Sequence, residues 1–151
     1  KILSSVINSE YGQSNKKIFI KSHPLMPLSK IMHRHSIPKN FLELKDDFFK
    51  LAKNSRIVIA AGISSSIIES FACGCAVLIP YVDKNDYYNF KYLKIPNSSY
   101  KVCENSHELN KKIKHFLNEK KKDKNRRIKK ADLLKSRLFE KVTKNNLKIF
   151  S

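Results

Sequence analysis

Two short stretches of this chain carry residue types that could hold an anion. Gly62-Ile63-Ser64-Ser65-Ser66 follows a β-branched run at 57–60, and beyond it Ile67, Ile68, Phe71 and Ala72 recur at helical spacing. Lys21-Ser22-His23-Pro24 follows the apolar triplet Ile18-Phe19-Ile20 in the same way. The first amide N–H groups of a helix lack partners inside it, and the helix dipole favours negative charge there. A phosphate can therefore sit at such a start, and small serine side chains let it approach and donate further hydrogen bonds. The stretch lacks the glycine signature of a P-loop or a dinucleotide fingerprint, and three serines at a helix start can also be a cap and nothing more.

These residues need a scaffold, and the patterning supplies one. A helix tail at 1–9 precedes the buried triplet at 18–20, which reads as a strand that Pro24 and Pro27 terminate. A basic loop over 30–35 leads to a second strand at 40–44, and Asp46 or Asp47 caps a short helix carrying Phe48, Phe49, Leu51 and Ala52. The run at 56–60 reads as a parallel strand covered on both faces. Ser64 caps the helix after it, Gly74 ends that helix in a left-handed conformation, and 76–80 forms the next strand. A strand–helix–strand unit this short is a right-handed crossover between parallel strands. Residues 86–93 read as an aromatic-rich helix or turn, with the tyrosines of 81–100 packing over the sheet, and 100–103 as a last strand. Asn105 or Ser106 caps a helix bearing Leu109, Ile113 and Phe116, with Glu108 in its first turn. Ile128, Ala131, Leu134, Leu138 and Val142 then mark a long C-terminal helix, with the basic run before it read as a loop. The fold class is α/β: a Rossmann-like parallel sheet with helices on both faces, whose ligands bind outside the carboxyl ends of the strands.

Bulk properties narrow the field. The 151 residues make one domain with 41% apolar residues, and no run of about eighteen apolar residues occurs to span a membrane. The start at Lys1, inside a helical pattern, reads as a piece of a longer protein, and no secretory signal is visible. Three cysteines fit neither a disulfide framework nor a zinc site, and read as reduced packing residues of a cytosolic protein. Much of the net charge of +18 lies in the C-terminal third, where the basic run at 120–130 could attract nucleic acid, an anionic membrane or phosphorylated substrates. Lysine dominates that run and no aromatic residue interrupts it, which argues against specific nucleic-acid recognition.

The stretch from Ser64 to Pro80 (SSSIIESFACGCAVLIP) resembles the signature of the C-terminal, donor-binding domain of GT-B glycosyltransferases. Lys21-Ser22-His23-Pro24 resembles the His-Pro motif of bacterial sialyl- and polysialyltransferases, and enzymes that transfer polyol phosphates from CDP donors have a similar His-Pro and paired-serine pattern. The resemblance covers about two thirds of the chain, from Lys16 to Phe116. It implies that Ser64, Ser65 and Ser66 bind the donor's phosphates, that His23 stabilises charge on the departing nucleotide, and that Glu69 holds the ribose hydroxyls. Lys21 becomes an anion contact. Against these roles stand plainer ones: His-Pro ends a strand, and Glu69 pairs with a nearby lysine.

The resemblance further implies a nucleotide-sugar-binding domain over 1–151, with a basic helical extension over 120–151, half of a two-domain enzyme inactive without its N-terminal half. Retaining members carry a second glutamate eight positions before the ribose-binding one, and Ala61 stands there, so an inverting or phosphotransfer mechanism is expected. The general base would come from the other domain. The expected substrate is a CMP- or UDP-sugar, the acceptor a glycan or lipid-linked glycan of a bacterial surface, with no cofactor and no metal. The place would be the cytoplasm, with peripheral contact to an anionic inner membrane. A CDP-polyol phosphotransferase and a charge-driven nucleic-acid-binding module are the alternatives.

Overall fold

The computed structural model describes residues 2–22, 27–32, 36–60, 65–80 and 99–139. It is a mixed α/β arrangement with two small parallel sheets. The first pairs β1 (Ile18–Ile20) with β2 (Phe41–Glu43); the second has the order β3 (Ile57–Ile59), β4 (Ala76–Pro80), β5 (Tyr100–Cys103). Six helices accompany them among the described residues: α1 (Ile2–Ile7), α2 (Ser29–Met32), α3 (Phe48–Lys53), α4 (Ser65–Ala72), α5 (Ser106–Leu117) and α6 (Lys121–Leu138).

The central strand β4 shows why helices cover both faces of the larger sheet. Side chains alternate along a strand, and four of the five here are completely buried or nearly so. Ala76 and Leu78 join Leu109, Ile113 and Phe116 of α5, Val6 and Ile7 of α1, and Phe41. Val77 and Ile79 join Ile67 and Phe71 of α4, Ala60, and Leu134 of α6. An all-apolar strand is what a parallel sheet sandwiched this way requires. Ile18 and Ile20 of the smaller sheet pack on the first of these clusters, so the two sheets share a core. This arrangement agrees with a Rossmann-like one.

Local sequence fixes the helix ends. Asp47 accepts hydrogen bonds from the amides of Phe49 and Lys50 and so caps α3. Asn105 accepts from the Glu108 amide at 2.9 Å, while the Glu108 carboxylate accepts from the Glu104 amide at 3.0 Å, a capping box shifted by one residue. Gly74 has φ 74°, and a Cβ there would lie 3.3 Å from Cγ1 of Ile128. Both the left-handed backbone and the proximity of α6 thus demand glycine. Gly12 is needed for another reason: a Cβ would run into the carbonyls of Val6 and Ile7, where the buried Ser9 hydroxyl bridges the Val6 carbonyl and the Gly12 amide.

Two expectations need correcting. The basic run is not a loop, since α6 begins at Lys121, inside it. Lysine and arginine are good helix formers, and Asp123 supplies the acidic residue favoured in a first turn. Within the basic loop expected over 30–35, α2 supplies one helical turn. The aromatic segment 86–93, the tyrosines up to Tyr88 and Tyr92, and Val142 lie outside the described residues.

Candidate functional site

The β3–α4–β4 unit is the best-defined part of the candidate site. Its strands are parallel, with Ile57 opposite Ala76 and Ile59 opposite Leu78, so α4 starts at the carboxyl end of β3. Ser65 is exposed and Ser66 half-buried at that start. Ile67, Ser70 and Phe71 turn inward, and the Ser70 hydroxyl donates to the Ser66 carbonyl at 2.6 Å. Positions four apart share a helix face, so half-buried Glu69 lies one turn below Ser65 on the side away from the core. No ion pair engages Glu69 among the described residues, so its carboxylate is not consumed by a lysine there. Ser64 lies outside the described residues, as does His23.

The second motif stretch begins at the carboxyl end of β1. Lys21 is exposed and its Nζ donates to the Lys45 carbonyl at 3.1 Å, which ties the ends of β1 and β2 together. Ser22 donates to the Glu43 carboxylate, and the Leu28 amide donates to the Ser22 hydroxyl at 3.1 Å and to Glu43 Oε1 at 3.3 Å. Ser22 and Leu28, which flank 23–27 in the sequence, are therefore bridged through one carboxylate. Asn40 does a similar service on the other side of β1, its Nδ2 lying 2.9–3.2 Å from the carbonyls of Gly12, Ser14 and Lys16.

Glu43 and Asn40 were not singled out from the sequence as more than strand residues. Their signal is weak because a polar residue at a strand edge is ordinarily solvent-facing. Arg127 is concealed for a stronger reason: it stands in a run of like residues, yet it is only 4% exposed. Its guanidinium pairs with Glu119 at 2.7 Å, donates to the Gly74 carbonyl, and lies over the Phe116 ring at 5.9 Å. No spacing rule links Glu119, outside any helix, to a position in the second turn of α6.

The three cysteines are free, with Cys75 and Cys103 buried. Burial pushes the Cys75 thiol from its ordinary 9.0 up to about 12, with Cys73 adding to the rise and Arg127 opposing it. Burial likewise pushes Cys103 up to about 11, helped by Glu108, while for Cys73 the same desolvation outweighs the opposing field of Lys53 and Lys135. Such thiols are packing groups, not nucleophiles. Among the described residues no helix is long and apolar enough to cross a membrane, and no cluster of potential metal ligands occurs.

No protein family model matches the chain, and no curated protein or solved structure matches it either.

Proposed function

We propose that the chain is the donor-binding domain of an inverting glycosyltransferase that uses a CMP- or UDP-sugar in building bacterial surface carbohydrate. One observation carries the reading: α4 opens at the carboxyl end of a parallel strand with Ser65 exposed in its first turn and Glu69, which makes no ion pair among the described residues, on the same face. In this reading the amides and hydroxyls of 64–66 hold the donor's phosphates, and Glu69 accepts hydrogen bonds from the ribose. His23, in the segment bridged at Ser22 and Leu28, stabilises charge on the leaving nucleotide, with Lys21 adding positive potential nearby. The base that activates the acceptor comes from elsewhere, and the enzyme works at the cytoplasmic face of a membrane on a glycan or lipid-linked acceptor.

The test is a thermal-shift titration against CMP, CDP, UDP, GDP and a short oligonucleotide at low and high salt. A ligand at a hundred times its dissociation constant stabilises by about 2.7 kcal/mol, which is readily measured in a domain of this size. A shift with one nucleotide that Ser65→Ala and His23→Ala each abolish is the expected result. Preference for CDP over CMP and UDP would turn the reading toward polyol-phosphate transfer. A shift confined to the oligonucleotide, insensitive to both substitutions and gone at high salt, would replace it with charge-driven nucleic-acid binding.

A further inference from the structure

The amino-terminal edge of the larger sheet holds a different constellation. Arg56, just before β3, donates to the Glu119 carbonyl at 3.2 Å, and Arg127 donates to the carbonyl of Gly74, two residues before β4. The junction of α5 and α6 therefore sits at the strand ends opposite to the start of α4. An open cavity of about 670 Å³ lies at this junction. Lys101 of β5, Lys111 and Lys114 of α5, Lys120 between the helices and Arg126 of α6 all line it.

The electrostatics of this cavity are lopsided. The carboxylate of Glu119 is taken by Arg127, in the one ion pair among the described residues. Asp123 is then the single carboxylate left in the lining against those five cations, a balance of four positive charges. Like charges gathered around one space repel each other, and Phe116 supplies the apolar part of the wall against which their field is concentrated. The start of α6 adds to the same sign, since its cap residue Lys120 makes no side-chain hydrogen bond to the first turn.

We infer that this cavity binds a compact anion carrying two or more phosphate groups. A phosphomonoester carries about −1.5 to −2 at neutral pH, so two of them match the uncompensated charge. The volume falls in the range of about 300–1,000 Å³ usual for small-molecule sites. The anion could be free in solution or the headgroup of a phosphorylated lipid, and the chemistry of recognition is the same.

The experiment uses the full chain and inorganic tripolyphosphate, with calorimetric titration at near-physiological salt. A triple variant Lys101→Gln, Lys114→Gln, Arg126→Gln is compared with an equally charge-depleted control, Lys17→Gln, Lys39→Gln, Lys50→Gln, whose residues are exposed and do not line the cavity. Circular dichroism establishes that both fold. The expected result is a dissociation constant raised at least tenfold in the cavity triple, with the control close to the parent. Equal weakening in both triples, or no binding by the parent, overturns the inference. Loss of binding in Ser65→Ala alone would also overturn it, by placing the anion at the α4 start. Vesicles of phosphatidylcholine, with and without a phosphatidylinositol bisphosphate, separate the sources. Cavity-dependent sedimentation with the doped vesicles identifies a headgroup, and tripolyphosphate binding without sedimentation identifies a free anion.

Discussion

At the scale of single residues, the greatest leverage lies with Arg127. Its charge is buried and fully engaged by Glu119, the Gly74 carbonyl and the Phe116 ring. Arg127→Met leaves Glu119 buried without a partner, and a loss of about 3–5 kcal/mol in urea unfolding is expected. Adding Glu119→Leu removes the stranded charge, so the double variant should recover most of that loss. If the two single losses simply add, the two side chains are not coupled as described. The cysteines make a second prediction. Because Cys75 and Cys103 hold their protons more tightly folded than unfolded, their contribution to stability is whole below about pH 9. It should drain away as the pH climbs towards 11 and 12, visible as a falling thermal midpoint that Cys75→Ala flattens. Iodoacetamide at pH 8 should leave both thiols unmodified until denaturant is added.

At the scale of elements, the capping box of α5 is the easiest to probe. Asn105→Ala should cost about 1 kcal/mol, and Ser106→Ala next to it almost nothing, measured by denaturant titration. Much at this scale was legible in the sequence. The strand at 100–103 agrees with the structure, and so do the strand at 76–80 and the left-handed Gly74, each of these two set by local chemistry: an unbroken apolar run, or a conformation that glycine alone adopts freely. The two choices left open between neighbouring caps resolve to Asp47 and Asn105, whose carboxylate and amide reach the free amides. What could not be read were contacts between distant positions. The inward stripe of α6 runs through Arg127, Ala131 and Leu134, and its first member is disguised as one more charge in a solvated run. Of the candidate donor site, Ser65 and Glu69 fall on one face as helical spacing implies, but the clamp around 23–27 depends on Glu43, twenty-one residues after Ser22.

At the scale of the whole molecule, thirty-one basic residues oppose thirteen acidic ones, and one ion pair among the described residues offsets them. Self-repulsion of that kind weakens the compact state and is screened by salt. The thermal midpoint should therefore rise by several degrees between about 20 and about 300 mM sodium chloride, over which the Debye length shrinks from roughly 20 to 6 Å. Potassium acetate at equal strength should act alike; a midpoint falling in both would mean that favourable pairs dominate instead. The placement of Leu134 has a consequence for how the protein is made. It completes a cluster whose first member is Ala60, on the face of β4 that carries Val77 and Ile79. At about 5–20 residues per second, a ribosome needs roughly 3–11 s to add the fifty or so residues between the end of β4 and Leu134. For that interval the nascent polypeptide carries a strand, its crossover helix and an unroofed apolar surface, a natural docking point for a chaperone at the ribosomal exit.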